Sequence, residues 1–568
     1  MTTTTTTTEF VPADLDARQW ANLEPLYQAL IDRELKCSGC LEQLLLDRSE
    51  LDASASEAFG LLYIAMTCDT EDKAKKSAYL DFVENVQPKL KTISFDLDKT
   101  IASSPHRGDL DQDRYGVLLR GIEADVSIFR EENVPLQTED AKLCQQYNEL
   151  CGAMMVTFRG KEYTMPLMAK FAQDNDRATR EEAWRASTER RYQDHEKFDD
   201  LFDQMVKLRH QIALNAGFDN YREYMFKEKH RFDYTPSDCV AFHQGAQEVC
   251  VPLMRKLDRE RAKALGVDPL RPWDLSVDVQ GRDPLRPFDG ADELVEKTSR
   301  LFRAMHEDLS NLFEQMRDGE SLDLDSRKGK APGGYQESLD RKRKPFIFMN
   351  AAGLHHDVVT MVHEVGHAFH CQLSRDEPLV QYRHAPMEFC EVASMSMELI
   401  AYPYLGEFYD EAEQARAKRD HLERIVGLLP WVACVDAFQH WIYANPEHSR
   451  EQRTAHWLEL RDRFGLDLSW EGLEHYRESA WHRQIHIFEV PFYYIEYGIA
   501  QLGALQLWQQ SLESEAGAIE NYQKALTLGG SKPLPELFET AGLTFGFGPS
   551  TMKSLMDEVE TKLASLPA

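Results

Sequence analysis

Residues 360–370, TMVHEVGHAFH, bring the most reactive side chains of this chain into one short segment. His363 and His367 are four apart, so a helix sets both imidazoles on one face, one turn from each other. Two imidazoles so spaced can share one metal ion, and Glu364 beside the first is placed to act as a base. A catalytic zinc site takes three protein ligands and keeps one position open, so a third ligand must come from elsewhere. A metzincin would have Gly at 370 and His at 373. This chain has His370 and Leu373, which excludes that pattern.

The segment MEFCEVASMSMELIA (387–401) has neither proline nor glycine and reads as a helix. It offers three carboxylates, Glu388, Glu391 and Glu398, on an otherwise apolar helix. Burying an unpaired charge is expensive, and a divalent cation nearby would offset that cost for at least one of them. Glu391 lies among Phe389, Cys390, Val392 and Ala393, which argues against a solvated acidic face there. Ala393 and Ser394 are small enough to let this helix approach the first closely. Asp357 stands where an N-cap of the histidine helix would be.

These two helices need a body to hold them. Residues 18–45, 70–92, 116–153, 178–216, 237–264, 291–318 and 411–445 carry apolar residues at three-and-four spacing between charges, which predicts helices. MVTFRGKEYTM (155–165) reads as a hairpin turning at Arg159-Gly160, and KPFIFMN (344–350) as a short buried strand. DPLRPWD (268–274) recurs as DPLRPFD (283–289), too few units for a solenoid and best read as an ordered surface loop with two similar turns. The fold class expected is mostly α.

The chain has 568 residues, with 65 basic and 96 acidic side chains and a formal net charge of −31. That acidity argues against nucleic acid and anionic membranes as partners. The longest apolar run, Ile425–Val435, is broken by Pro430 and too short to span a bilayer. The start, MTTTTTTTEF, shows no signal peptide. Of ten cysteines only Cys37 and Cys40 form a CxxC, without a second pair to complete a zinc ribbon, so they read as reduced thiols on a helix. Together these features place the protein in the cytoplasm.

HDVVTMVHEVGHAFH (356–370), followed by Phe389-x-Glu391-x-x-Ser394 and by Glu398, resembles the thimet oligopeptidase and oligoendopeptidase F family of zinc peptidases. APGGYQESLDRKRKPFIFMNAAG (331–353) is similar to the family's glycine-tyrosine segment and the strand leading to its zinc helix. WHRQIHIFEVPFYYIEYGIAQLGA (481–504) is similar to the oligoendopeptidase F tyrosine segment. The resemblance runs from about Val156 to residue 543, and the first 150 residues carry none of these motifs. It implies one Zn2+ per chain on His363, His367 and Glu391, with Glu364 as general base. It implies transition-state donors at His486, Tyr493 and Tyr497. The thimet branch has a further tyrosine where Ala500 stands here, which favours the oligoendopeptidase F side. Glu398 is a candidate to hold a ligand histidine in its tautomer.

The resemblance also implies two helical lobes around a deep substrate channel, with a small β-sheet beside the zinc helix. The expected division is a disordered tail at 1–15, an N-terminal helical region at 16–190 and a zinc peptidase catalytic domain at 191–568. The expected function is a zinc endopeptidase cutting internal bonds of short unstructured peptides, with zinc-bound water as nucleophile. Two alternatives stay open. A zinc carboxypeptidase would grip a C-terminal carboxylate with a cation such as Arg383 or Arg483. A non-catalytic peptide-binding protein would not need Glu364.

Overall fold

The computed structural model describes residues 10–567. It is mostly α-helical, with two small sheets among the described residues. The helices and sheets gather into two compact units, each assembled from three separate stretches. One comprises the described residues within Met1–Ser127, with Leu285–Gln414 and Gly503–Phe545; the other takes Ile128–Pro284, Ala415–Leu502 and Gly546–Ala568. The units therefore do not follow a linear division at residue 190. The threonine tract lies outside the described residues. Residues 10–15 depart from the expected tail: Val11 is buried in the core of the first unit, with Phe10 and Leu15 packed against it. Three apolar side chains among six residues are enough to anchor that stretch.

In the first unit the helix Ser38–Cys68 is the longest element, and Leu41, Leu44, Leu45 and Leu51 bury one face of it. Cys37 is its N-cap, with Sγ accepting from the Cys40 N–H at 3.2 Å. The CxxC is thus a helix start with two free thiols. The sheet of this unit has the order β3 (Leu322–Asp325), β5 (Lys344–Ala351), β4 (Tyr335–Leu339). β5 runs parallel to β3 and antiparallel to β4, with Glu337 opposite Phe346. Its Ile347, Phe348 and Met349 are buried, as a central strand requires.

β5 leads through Gly353 into the helix His355–Leu373. Gly353 has φ +80°, and a Cβ there would lie 3.0 Å from the Phe288 carbonyl, so glycine is required. The helix start is stabilised from inside: Asp357 Oδ2 accepts from the N–H groups of Ala352 and Leu354, each at 2.8 Å. Asp357 is therefore the third helical residue and not the N-cap.

The second unit holds the other sheet, the hairpin β1 (Met155–Phe158) and β2 (Lys161–Thr164). Its turn is Arg159-Gly160, both at positive φ (49° and 77°), the type I′ geometry that matches strand twist. The first proline-rich turn is more than surface. Asp274 is fully buried and takes Arg177 at 2.9 and 2.8 Å and Arg180 at 3.2 Å. The helix Glu411–Ala444 is long and apolar enough to cross a membrane by length and composition, yet 72 % of its apolar window is buried in the protein. It is a core helix, with Pro430 inside it.

Candidate metal centre

Two helices of the first unit bring the histidine motif and its carboxylate together: His355–Leu373 and Met387–Ile400. Their contact is close because Gly366 faces Ala393 and Ser394. A Cβ on Gly366 would lie 2.6 Å from Ser394 Cα and 2.7 Å from the Ala393 carbonyl oxygen. On the far side, Gly503 lies where a Cβ would meet Val392 at 2.7 Å. Tyr522 donates its hydroxyl to the Ala393 carbonyl at 3.0 Å. The second helix is thus packed by three separate elements.

The His363 and His367 rings are 4.9 Å apart and nearly perpendicular. Glu391 Oε2 is 3.5 Å from His363 Nε2 and 3.9 Å from His367 Nε2. The three side chains offer donor atoms within 4.8 Å of one another. Two imidazole nitrogens and one carboxylate oxygen fit a single divalent transition ion. Ser394 donates to Glu391 Oε2 at 3.1 Å, which orients that carboxylate. Of the three acids on the helix, Glu391 is the one that completes the cluster. Glu398 Oε1 lies 2.7 Å from His363 Nδ1, on the side of the ring away from Glu391.

The electrostatics follow from burial and mutual charge. Burial pushes the His363 imidazole down, but the hydrogen bond and charge of Glu398, with Glu391 and Glu364, hold it up at about 9. Burial, together with the charge of His363, drives His367 well below the usual range. Burial lifts the Glu364 carboxyl to about 7, against the pull of His363 and with the push of Glu391. A carboxyl poised near neutrality is suited to taking up and releasing a proton. Glu391 is also raised, by burial first.

His370 is buried against Phe389, and burial brings it down to about 4, as expected of a structural histidine. His355 Nδ1 is paired with the Tyr409 hydroxyl at 2.7 Å, and His356 is exposed. Arg383 is buried and donates to the Asp340 carbonyl at 2.6 Å.

His486, Tyr493 and Tyr497 belong to the second unit. The structure gathers them: ring centroids are 5.9 Å apart for His486 and Tyr493, 5.8 Å for His486 and Tyr497, and 5.3 Å for the two tyrosines. The helix carrying Tyr497 begins at Tyr494, so Tyr493 stands just before it and not within it. Phe492, at φ 63°, turns the chain there. Arg231 fixes this turn, donating to the Phe492 carbonyl and to Glu496 Oε1. His482 lies four residues before His486. It is buried, stacked on Phe198, with its ring 3.5 Å from Asp199.

Two residues beside His486 escaped the motif reading. The Gln484 side-chain amide donates to His486 Nδ1 at 2.7 Å, and its own oxygen accepts from the Trp431 indole N–H at 3.2 Å. The indole has only a donor, so it fixes which way the amide points. His486 Nδ1 is then the acceptor and Nε2 carries the proton. Burial lowers the pKa of this imidazole, which keeps it neutral.

A model of "Peptidase family M3" matches residues 170–547, and one of "Peptidase M3 N-terminal domain" matches 10–129. The second covers most of the stretch in which no motif was found. Oligopeptidase PepF of Bacillus subtilis is 23 % identical over 323 residues, 55 % of this chain and 46 % of its own length. The chromosomal oligoendopeptidase F of Lactococcus lactis subsp. cremoris is 26 % identical over 166 residues, 29 % and 27 % of the two chains. The matched stretches thus span less than half the length of these curated relatives. Among solved structures, PZ peptidase A with an inhibitor has a TM-score of 0.88 and 29 % identity, covering 96 % of this chain and 98 % of that one.

Proposed function

The chain belongs to peptidase family M3, a metallopeptidase family, and from that premise we propose that it is a zinc-dependent endopeptidase of short, unfolded peptides. The observation that carries this reading is the convergence of His363, His367 and Glu391 beside the buried carboxyl of Glu364. Those three residues would hold one zinc ion. When bound, zinc would lower the pKa of a water molecule and polarise the peptide carbonyl. Glu364 takes the proton from the attacking water and passes it to the leaving amine. His486, through its protonated Nε2, and the phenols of Tyr493 and Tyr497 donate to the oxyanion.

The three-stranded sheet offers backbone for an extended substrate to pair with. β5 lies between β3 and β4, but β4 pairs only with Lys344–Phe348, and only Ile347 and Phe348 have partners on both sides. We place the peptide near Phe346–Gly353, at the stretch of β5 past Phe348 that β4 does not cover, or along β4 itself, an edge strand. The ten cysteines, all free thiols, support a reducing, cytoplasmic location.

The test is hydrolysis of an internally quenched peptide blocked at both ends, with and without a chelator. Chelator-sensitive cleavage is expected, and Glu364→Gln is expected to keep its metal but lose nearly all turnover. Cleavage only of peptides with a free C-terminus would replace this reading with the carboxypeptidase. Full binding without cleavage by the wild type would replace it with a peptide-binding protein.

A further inference from the structure

The second unit contains another set of side chains with metal-binding chemistry, and the M3 reaction uses none of them. Cys239 and His243 are four apart on the helix Pro236–Gly245, and Asp436 and His440 are four apart on the helix Glu411–Ala444. Each helix therefore presents two polar side chains one turn apart, and the two pairs meet. Cys239, Asp436 and His440 offer donor atoms within 4.8 Å of one another, the same spread as in the His363, His367 and Glu391 cluster. All three are buried, Asp436 completely.

The pairings within this cluster converge on one oxygen, Asp436 Oδ2, and leave other buried atoms over. His243 Nε2 is 2.7 Å from Asp436 Oδ2 and holds that oxygen. Asp436 Oδ1 and both ring nitrogens of His440 make no hydrogen bond among the described residues. Leaving buried polar atoms unpaired is costly, and a bound ion is one standing explanation. His440 Nε2 is nevertheless only 3.2 Å from Asp436 Oδ2, without the alignment of a hydrogen bond. Two donors on one zinc ion, with bonds of about 2.0–2.2 Å, stand roughly 3.3 Å apart. The observed separation matches a shared ion.

We propose that Cys239, Asp436 and His440 form a second metal site, for one borderline-soft divalent ion such as zinc. Thiolate, imidazole and carboxylate together suit zinc and disfavour magnesium or calcium, which take oxygen ligands. Against the upward push of burial, His440 and His243 hold the Asp436 carboxyl well below the usual range, so it is an anionic donor. His243 is the outer partner that orients Asp436, as ligand carboxylates commonly require. The rings of Phe226 and Phe492 meet His440 edge-on and close the site to solvent. A closed site has no position for substrate, so its role is to fasten the helix Pro236–Gly245 to the helix Glu411–Ala444.

Sulfur separates this site from the first, which has none. The full chain is produced in cobalt-supplemented medium, so that a buried site fills during folding. Metal per chain is counted by mass spectrometry, and the near-ultraviolet spectrum is read for thiolate-to-cobalt charge transfer. Two equivalents and a charge-transfer band are expected in the wild type. Cys239→Ser, close in size, is expected to lose the band and one equivalent while keeping the other. A His363→Ala, His367→Ala double variant is expected to lose one equivalent and keep the band. A wild type with no band, or a band that survives Cys239→Ser, would overturn the proposal. Failure of the first centre would instead remove the equivalent that carries no band.

Discussion

Glu398 Oε1 accepts a hydrogen bond from His363 Nδ1–H at 2.7 Å, two helical turns beyond the carboxylate that faces the same imidazole from its other side. A ring clamped between Glu398 and Glu391 has its tautomer and its orientation set before any metal arrives, with Nε2 as the coordinating nitrogen. Removing the clamp leaves a buried N–H unpaired and the ring free to turn. Glu398→Ala is therefore expected to weaken zinc binding by about 10–100-fold. Glu398→Gln keeps an acceptor without the charge and should fall between. Zinc titration against a competing chelator measures both, and wild-type affinity in Glu398→Ala would remove the residue from the centre.

Gly366 sets how near the two helices come. Its neighbours at 2.6 and 2.7 Å from an added Cβ are backbone atoms of Ser394 and Ala393, which cannot swing aside. Gly366→Ala is expected to cost about 1–3 kcal/mol of stability through overpacking. It should also weaken zinc binding, because Glu391 moves with the displaced helix. Thermal unfolding of the metal-free protein and a zinc titration on the same variant test the two effects. An unchanged melting temperature would mean the contact is looser than described.

Much of the metal centre was legible in local spacing. The HExxH pair, the apolar flanks of Glu391 and the acid at 398 each lie within one helix, where periodicity fixes geometry. The role of Gln484 was not legible, because the indole that orients its amide, Trp431, lies 53 residues away in sequence. Helix positions were read well and helix ends poorly. The stretch 178–216 is two helices, Arg177–Tyr192 and His195–Asn215. The break holds neither proline nor glycine; Asp194 there takes Arg190 and Lys197, each at 2.6 Å. The interleaved units were illegible for a different reason: which distant helices pack together is a tertiary fact that composition does not carry.

Glu337 gives a stability signature in pH. Burial, and next the charge of Asp340, raise its carboxyl to about 7, with His384 pulling the other way. The native state thus holds this proton more tightly than the unfolded chain, whose glutamate titrates near 4.3. Well below about 4.3 both states are protonated and nothing is lost. As pH rises toward 7 the unfolded state ionises first, so stability falls, and the whole penalty is present above 7. Glu337→Gln is expected to match the wild type at about pH 3.5 and to melt higher at pH 8. Equal melting temperatures at both pH values would show that Glu337 is ionised without cost.

Tyr497 decides whether the aromatic cluster of the second unit takes part in catalysis. Its ring lies 5.3 Å from Tyr493 and 5.8 Å from His486, both partly exposed, and the turn at Phe492 just before its helix is held by the buried Arg231–Glu496 pair at 2.6 Å. Behind it the helix is packed tightly, since a Cβ on Gly498 would lie 2.5 Å from Phe242 and 2.9 Å from Val432. The phenol therefore projects from a rigid base, as preorganised donors must. A carbonyl oxygen gains full negative charge only as water adds, so a donor placed for that oxyanion stabilises the transition state more than the bound substrate. Tyr497→Phe removes one hydroxyl and no ring. The expected loss is on the order of 10²–10³ in kcat, about 2.7–4 kcal/mol, with KM little changed and zinc fully retained. A tyrosine that served packing alone would give the reverse pattern, with a lower melting temperature and unaltered turnover per folded molecule. Both quantities are measured on one preparation, and a kcat within a few-fold of wild type takes Tyr497 out of the mechanism.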